Sequence, residues 1–346
     1  MRIRDIVKFA FGVLLAVVLM AWVLRGTDLA TLWSEIRNAS ILGLLLGGAL
    51  NIGHNVFRVL RWRVLLNPVR RGIGFRAMFV AVILGYMTSW VIPGRLGELV
   101  RPMLLSTRES LPLGPIVGSV VADRILDIVA VALLFTLGIW VTPLSGEAAR
   151  HAALLKNGAV IMSIVAIAVL ALMVAVSVSG QRLSDWFTRR RGIFRWLGRA
   201  GVALAHGAGA LRSPRAVGLV LIHSLAAWLM IAGGTWVCVL AGGAEVSFGT
   251  MLVILPMLVL GVAVPTPGGA GSYHGAMKAG LMLFGVSQVT AVSVGLLAHM
   301  MMVLPVIVVG AVLLWTENVR WGDLISGARR FRQLGDQSTT RLEGVS

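Results

Sequence analysis

Apolar residues run along this chain in long blocks rather than in alternation with polar ones. A helix that crosses a bilayer needs roughly 20 apolar residues, and six stretches meet that length: 6–24, 39–59, 115–141, 158–179, 216–241 and 288–315. Each predicts a spanning helix. Two further apolar stretches, 76–92 and 249–264, run into "PGRLGELVRP" and "VPTPGGAGSYHGAM". Proline stops an incoming helix and glycine permits a sharp reversal, so both read as broken hairpins that enter and return on one side. The expectation is an all-α, polytopic membrane protein with six full spans and two broken re-entrant helix hairpins.

The order of these elements contains a symmetry. Helix, helix, broken hairpin, helix occurs twice, and the second hairpin is entered from the opposite face. Pro93-Gly94-x-x-Gly97 recurs as Pro267-Gly268-x-x-Gly271, 174 residues further on. The pattern predicts an inverted repeat, 1–157 and 158–321, within one transmembrane domain that ends in a cytoplasmic tail, 322–346. Interrupted segments at matching places point to a transport site near the bilayer midplane.

Composition agrees with this class and narrows the partners. Hydrophobic residues make up 58% of the chain and charged residues 13%, which leaves no polar shell for a water-soluble fold. The net charge is +17. If both hairpins return, 25 of the 31 basic residues fall on the side of the two termini and five on the other, with Arg124 inside a helix. The positive-inside bias then puts both termini in the cytoplasm. The basic excess reports topology and anionic lipid rather than nucleic acid, and "WFTRRRGIFRWLGR" suits an amphipathic helix lying on anionic lipid. The single cysteine, Cys238, excludes an intrachain disulfide and reads as a small buried hydrophobe. No small-residue cleavage pattern precedes "RGTD", so the first block reads as a retained helix.

The candidate chemistry sits at the breaks and at a few charges within the spans. A helix restarting after "PGR" or "PGG" exposes its first N–H groups, which in lipid must find partners, and an anion is the natural one. That singles out Pro93, Gly94 and Gly97 in the first break and Pro267, Gly268, Gly269 and Gly271, with His274, in the second. Beside the first lie Arg95, Glu98 and Arg101, where the spacing of three lets Glu98 pair with Arg101 and leaves Arg95 for a phosphate. The same charges equally suit a cytoplasmic interface. Asp123, Arg124 and Asp127 interrupt an apolar helix, and such charges must face the protein interior or a cavity. They read either as a salt bridge to Arg95 or Arg58, or as part of binding or gating. Asn51, His54, Asn55, Arg58 and Arg61 fall on nearly one helical stripe, with Asn55 and Arg58 deep, and Arg61 and Arg63 as interfacial anchors beside Trp62. His223 and His299 read as helix–helix hydrogen-bonding residues. Neither a nucleophile motif, a nucleotide loop nor a metal-ligand pattern is present, and Ser272 and His274, two apart, diverge on one helix. No enzyme activity, metal or cofactor is expected.

Four segments, "FRVLRW", "GYMTSWVIPGRLGELVRPMLL", "VVADRILDIVAV" and "PTPGGAGSYHGAM", in that order across nearly the whole chain, resemble the flippase-like transmembrane domain of the lysylphosphatidylglycerol synthase family. The resemblance implies a bacterial inner-membrane protein that moves a phospholipid or related anionic lipid between leaflets. Many members have Glu where Asp123 stands, which keeps a carboxylate, and Glu where His274 stands, which does not. With only about 30 residues after the last span, the soluble aminoacyl-transferase domain of some members is not expected. The rival reading is a membrane scaffold or accessory subunit of a lipid-modifying enzyme, with both breaks purely structural.

Overall fold

The computed structural model describes residues 3–92, 97–144, 146–188 and 207–327, with the side chains of 3–9 and 180–188 excepted. Every regular element among the described residues is helical: α1 (Ile3–Leu24), α2 (Leu29–Asn38), α3 (Ile41–Leu66), α4 (Phe75–Val91), α5 (Gly97–Glu109), α6 (Leu113–Val141), α7 (Gly146–Arg150), α8 (Ala152–Thr188), α9 (Pro214–Ala241), α10 (Phe248–Ala263), α11 (Ser272–Met282) and α12 (Gln288–Thr316). Short 3-10 turns occupy Gly209–Arg212 and Pro267–Gly269. The arginine-rich stretch and most of the expected tail lie outside the described residues. Leu324, at the start of that tail, is buried with Val80, Leu84 and Val306.

Four helices are long and apolar enough to cross a membrane: Leu113–Val141, Ala152–Ser179, Pro214–Ala241 and Gln288–Thr316. The first two helices together would make a fifth span, but they meet at 93°. Asp28 produces the break, because its carboxylate caps the amides of Ala30 and Thr31 and starts a new helix. With 26 residues α3 is long enough. Its Asn51, His54, Asn55 and Arg58 keep it out of the apolar set, and the fold has to bury them.

Two sets of elements follow the same order. The helices α3, α4, α5 and α6 begin at residues 41, 75, 97 and 113, and α9, α10, α11 and α12 at 214, 248, 272 and 288, an offset of 173 to 175. At their centre α3 and α9 pack antiparallel. Gly43 lies against Ala241, Gly47 against Gly234 and Cys238, Gly53 against Met230, and Arg61 bonds Ser224. Small residues spaced four apart let the two backbones approach closely, as association in lipid requires. The remaining contacts cross over: Gly138 of α6 packs on Leu252 of α10, and Gly310 of α12 packs on Met87 of α4. Outside this core the correspondence ends. α1 packs on α11, where Lys278 Nζ donates to the Val23 carbonyl at 2.9 Å. α8 packs instead on α6, with Thr136 and Ser163 hydroxyls 2.7 Å apart.

Each hairpin closes on a glycine. A Cβ on Gly97 would overlap the Gly85 carbonyl oxygen and Ser89 Oγ, so α4 and α5 can cross there only with hydrogen on that carbon. Gly261 plays the corresponding part in α10, where a Cβ would come within 2.9 Å of the Ser272 carbonyl oxygen. Gly97→Ala should therefore destabilise the protein by about 1–3 kcal/mol through overpacking. Gly233→Ala, with no atom within 4 Å of its Cβ, should be neutral or stabilising, and thermal unfolding in detergent compares the two.

Both ends of the first hairpin are also tied to the end of α12. Arg76 Nε and Arg108 Nη1 each donate to a Glu317 carboxylate oxygen at 2.8 Å. Arg108, followed by Arg76, holds the Glu317 carboxyl below its ordinary value of 4.5. A depressed carboxyl contributes stability that is fully present above its unfolded pKa and is lost as pH falls through the folded one. The difference in melting temperature between the wild type and Glu317→Gln should be full at neutral pH and shrink progressively below about pH 4.5.

Candidate functional site

Six charged side chains converge between α3, α5 and α6. Arg58 and Arg61 are three apart on α3 and project the same way, as do Asp123 and Asp127, four apart on α6. Arg61 Nη2 reaches both carboxylates, Asp123 at 2.7 Å and Asp127 at 2.9 Å. Arg58 Nη1 pairs with Asp127 at 3.0 Å, Arg101 Nη1 with Asp123 at 2.7 Å, and Arg124 Nη1 with Asp127 at 3.2 Å. From α9, Trp228 Nε1 donates to Asp127 at 2.9 Å and Ser224 Oγ accepts from Arg61 at 3.0 Å. Arg61 and Asp123 are 0% exposed, Arg101 3%, Arg58 4% and Asp127 6%. Four guanidinium groups face two carboxylates; Arg58, Arg61 and Arg101 are buried, an excess of one cation where water barely reaches, whereas the Arg124 side chain is 34% exposed.

Aromatic faces cover the cations. Arg101 lies 3.9 Å over the Trp62 ring, and Arg58 sits between Tyr86 and Trp228 at 5.4 and 5.5 Å. Trp62 is itself fixed by a bond from Nε1 to Ser119 Oγ at 2.9 Å, and Tyr86 Oη accepts from Arg124 at 3.1 Å. A ring's negative face stabilises a desolvated cation without adding a charge.

The cluster reaches the surface through a narrow cleft lined by Gly85, Tyr86, Ser89, Glu98, Arg101 and Arg124. The expected Glu98–Arg101 pair does not form. Arg101 turns to Asp123, which is fully buried and needs counter-charge more than the exposed Glu98 does. Arg61 is no interfacial anchor either. It is the most enclosed arginine among the described residues, whereas its neighbour Arg63 is exposed. The expected bridge from the aspartate helix to Arg58 is present. Asn55 is buried and donates to the Ile52 carbonyl at 2.9 Å. Pro93, Gly94 and Arg95 lie outside the described residues.

Three glycines of the second break, Gly268, Gly269 and Gly271, have φ of +60°, +69° and +80°, a region that favours glycine. Several of its amides are bonded locally: Gly269 to the Thr266 carbonyl at 3.2 Å, Ala270 to that of Pro267 at 3.1 Å, and Gly271 to His274 Nδ1 at 3.1 Å. Ser272 Oγ donates to the Gly269 carbonyl and makes no bond to His274. His299 Nε2 meets the Gly268 carbonyl at 2.8 Å, so it bonds the turn of the break rather than a neighbouring helix. Tyr273 stacks on His299 at 5.0 Å, and Trp90, three residues before Pro93, lies edge-on to His299 at 6.0 Å. The last turn of α4 therefore touches the second break. His274 shares no bond or ion pair with the arginine–aspartate cluster among the described residues.

Of the residues gathered here, the sequence singled out Arg58, Arg101, Arg124 and both aspartates, put Arg61 on the Arg58 stripe but as an interfacial anchor, and marked none of Tyr86, Ser224 and Trp228. Arg61 was legible as the next residue on the Arg58 face. Nothing in the apolar run around Trp228 marks it.

Fold and site together define a helical multi-pass membrane protein with a buried ionic centre. The chain belongs to the family of the lysylphosphatidylglycerol synthase TM region, whose model matches residues 9–310. Comparison with curated proteins finds no match.

Removing one partner of a buried ion network leaves uncompensated charge, at about 3–5 kcal/mol. Asp123→Asn should therefore lower thermal stability strongly, whereas Arg63→Ala should change it little. A melt of the purified variants that placed Asp123→Asn level with Arg63→Ala would mean that Asp123 is not the anchor of the network.

Proposed function

We propose that the protein translocates an anionic phospholipid or related anionic lipid between leaflets by alternating access. The headgroup is held at the arginine–aspartate cluster while the acyl chains stay in the bilayer. The observation that carries this reading is the excess of guanidinium over carboxylate among these helices, with three of the four arginines buried, beside a cleft that Arg101 and Arg124 line. An anion is the ligand that relieves such a charge. Membership of a family named for a phospholipid-modifying protein's membrane region supports lipid as its source.

The matched order of α3–α6 and α9–α12, with α3 and α9 antiparallel at the centre, supports an inverted repeat whose halves rock against each other. In this reading α3 supplies a further crossing, both hairpins return to their own side, and the distribution of arginines places both termini in the cytoplasm of a bacterial inner membrane. No catalytic step, metal or cofactor is assigned.

Reconstitution into liposomes tests it directly. With fluorescent phosphatidylglycerol in both leaflets, the protein should make the inner pool accessible to an external quencher, far faster than it does for a zwitterionic lipid. Arg101→Gln should slow this while Arg63→Gln leaves it intact. Equal accessibility in protein-free and protein-containing vesicles would favour the scaffold reading instead.

A further inference from the structure

We infer that the bend between α1 and α2 seats one anionic phospholipid of the leaflet on the α2 side, with its phosphate at Arg25 and an acyl chain laid along α1. This second lipid site stands apart from the arginine–aspartate cluster and does not depend on translocation.

The apolar wall comes first. Phe11, Leu14, Val18 and Trp22 follow one another at spacings of three and four, so they share one face of α1. Each is more than half exposed. At 1.5 Å per residue the stripe is about 17 Å long, close to the roughly 15 Å of hydrocarbon in one leaflet. Arg25 stands three residues beyond Trp22, at the next position on that face. There α2 turns away at 93°. A cleft of about 490 Å³ opens in the bend, lined by Trp22, Arg25, Thr27 and Leu29 together with Ala21 and Leu24. Leu29 and Trp33, four apart on α2, are both exposed, and a tryptophan there suits the depth of the headgroups.

Contacts from behind hold the cleft in shape. Trp22 packs on Gly275 of α11, where a Cβ would come within 3.2 Å of the ring. Lys278 Nζ lies 5.6 Å over the same ring while it donates to the Val23 carbonyl. From α12, Gln288 Nε2 donates to the Arg25 carbonyl at 2.9 Å and to Thr27 Oγ1 at 3.1 Å. The backbone of the bend is thereby pinned, whereas the Arg25 side chain is exposed and has no ion pair or hydrogen bond among the described residues. The two acidic residues of this segment are engaged elsewhere: Asp28 accepts from the amides of Ala30 and Thr31, and Glu35 accepts from the Thr290 hydroxyl. Neither lines the cleft. Phosphate is the anion that a guanidinium fork suits, and the apolar stripe below it selects a phosphate carried on a lipid.

Native mass spectrometry of the full chain tests the inference, after purification in detergent with equal amounts of phosphatidylglycerol and phosphatidylcholine of identical acyl chains. The wild type should retain one more phosphatidylglycerol than Arg25→Gln, Arg25→Lys should keep it in part, and Arg63→Gln should match the wild type. Because Arg25 is exposed and bonded only through its backbone, its variants should melt with the wild type. Equal retention by the wild type and Arg25→Gln would overturn the site. Phosphatidylcholine held in the same place to the same extent would overturn recognition of charge. Val18→Ser, on the stripe, should weaken retention severalfold, and unchanged retention would remove the acyl-chain part of the seat. Arg101→Gln should still hold this lipid; if it and Arg25→Gln lose the same single molecule, the bend is not a site of its own. Excess glycerol 3-phosphate should leave the lipid in place, and its displacement would mean that a free phosphate is what the bend binds.

Discussion

Two carboxylates, Asp123 and Asp127, hold four guanidinium groups inside a domain built for lipid, and the packing of five helices follows from that constraint. Neither aspartate can be left alone, because a desolvated charge without a partner is far more unfavourable than a paired one. Their partners come from α3, from α5 and from within α6, so these helices have to meet at one depth. From α9, Trp228 and Ser224 supply the remaining bonds, and from α4 Tyr86 supplies both an oxygen and a ring face. Arginine fits where lysine would not. Its planar group reaches two carboxylates at once, as Arg61 does, and lies flat on an indole, as Arg101 does.

The second constraint is that no backbone amide can go unpartnered in lipid. The second break meets it from within: three left-handed glycines fold the turn back, His274 takes the Gly271 amide, and His299 meets the Gly268 carbonyl. A turn that keeps several of its own amides has less to offer an anion. In the proposed reading the side chains of the first half carry that task, and the second break is a surface against which Trp90 and the end of α4 rest.

Much of this was legible in the sequence because bilayer length and helix period leave few alternatives. The blocks at 115–141, 216–241 and 288–315 fall within a few residues of α6, α9 and α12. Charges inside an apolar helix announced the Asp123–Asp127 centre, since a membrane tolerates such residues only where they are enclosed. The partner of Arg101 was not legible. Local spacing offered Glu98, and only the tertiary fold decides that Asp123 lies nearer and deeper. Trp228 was invisible for a related reason: its indole N–H looks like any buried aromatic until Asp127 is placed beside it. The bend after α1 was hidden too, because Asp28 reads as a loop residue unless its capping of Ala30 and Thr31 is known.

The two sets of helices share a framework but not a chemistry. At the 174-residue offset of the Pro-Gly breaks, Arg58, Arg61, Arg101, Asp123, Arg124 and Asp127 correspond to Ala232, Thr235, Gly275, Leu297, Ala298 and Met301, none of them charged. The ionic centre therefore belongs to one half and lies to one side of any axis relating the two. If the halves exchange conformations during transport, an off-axis site is not equally presented to both faces. In the proposed cycle an anionic headgroup would be held on the side of the arginines, because the second set, where Tyr273, His274 and His299 pack together, offers no opposed charges. A strong site on one side and a weak one on the other is what a carrier needs in order to let go of its load, because a headgroup held equally well throughout would have no state from which to leave.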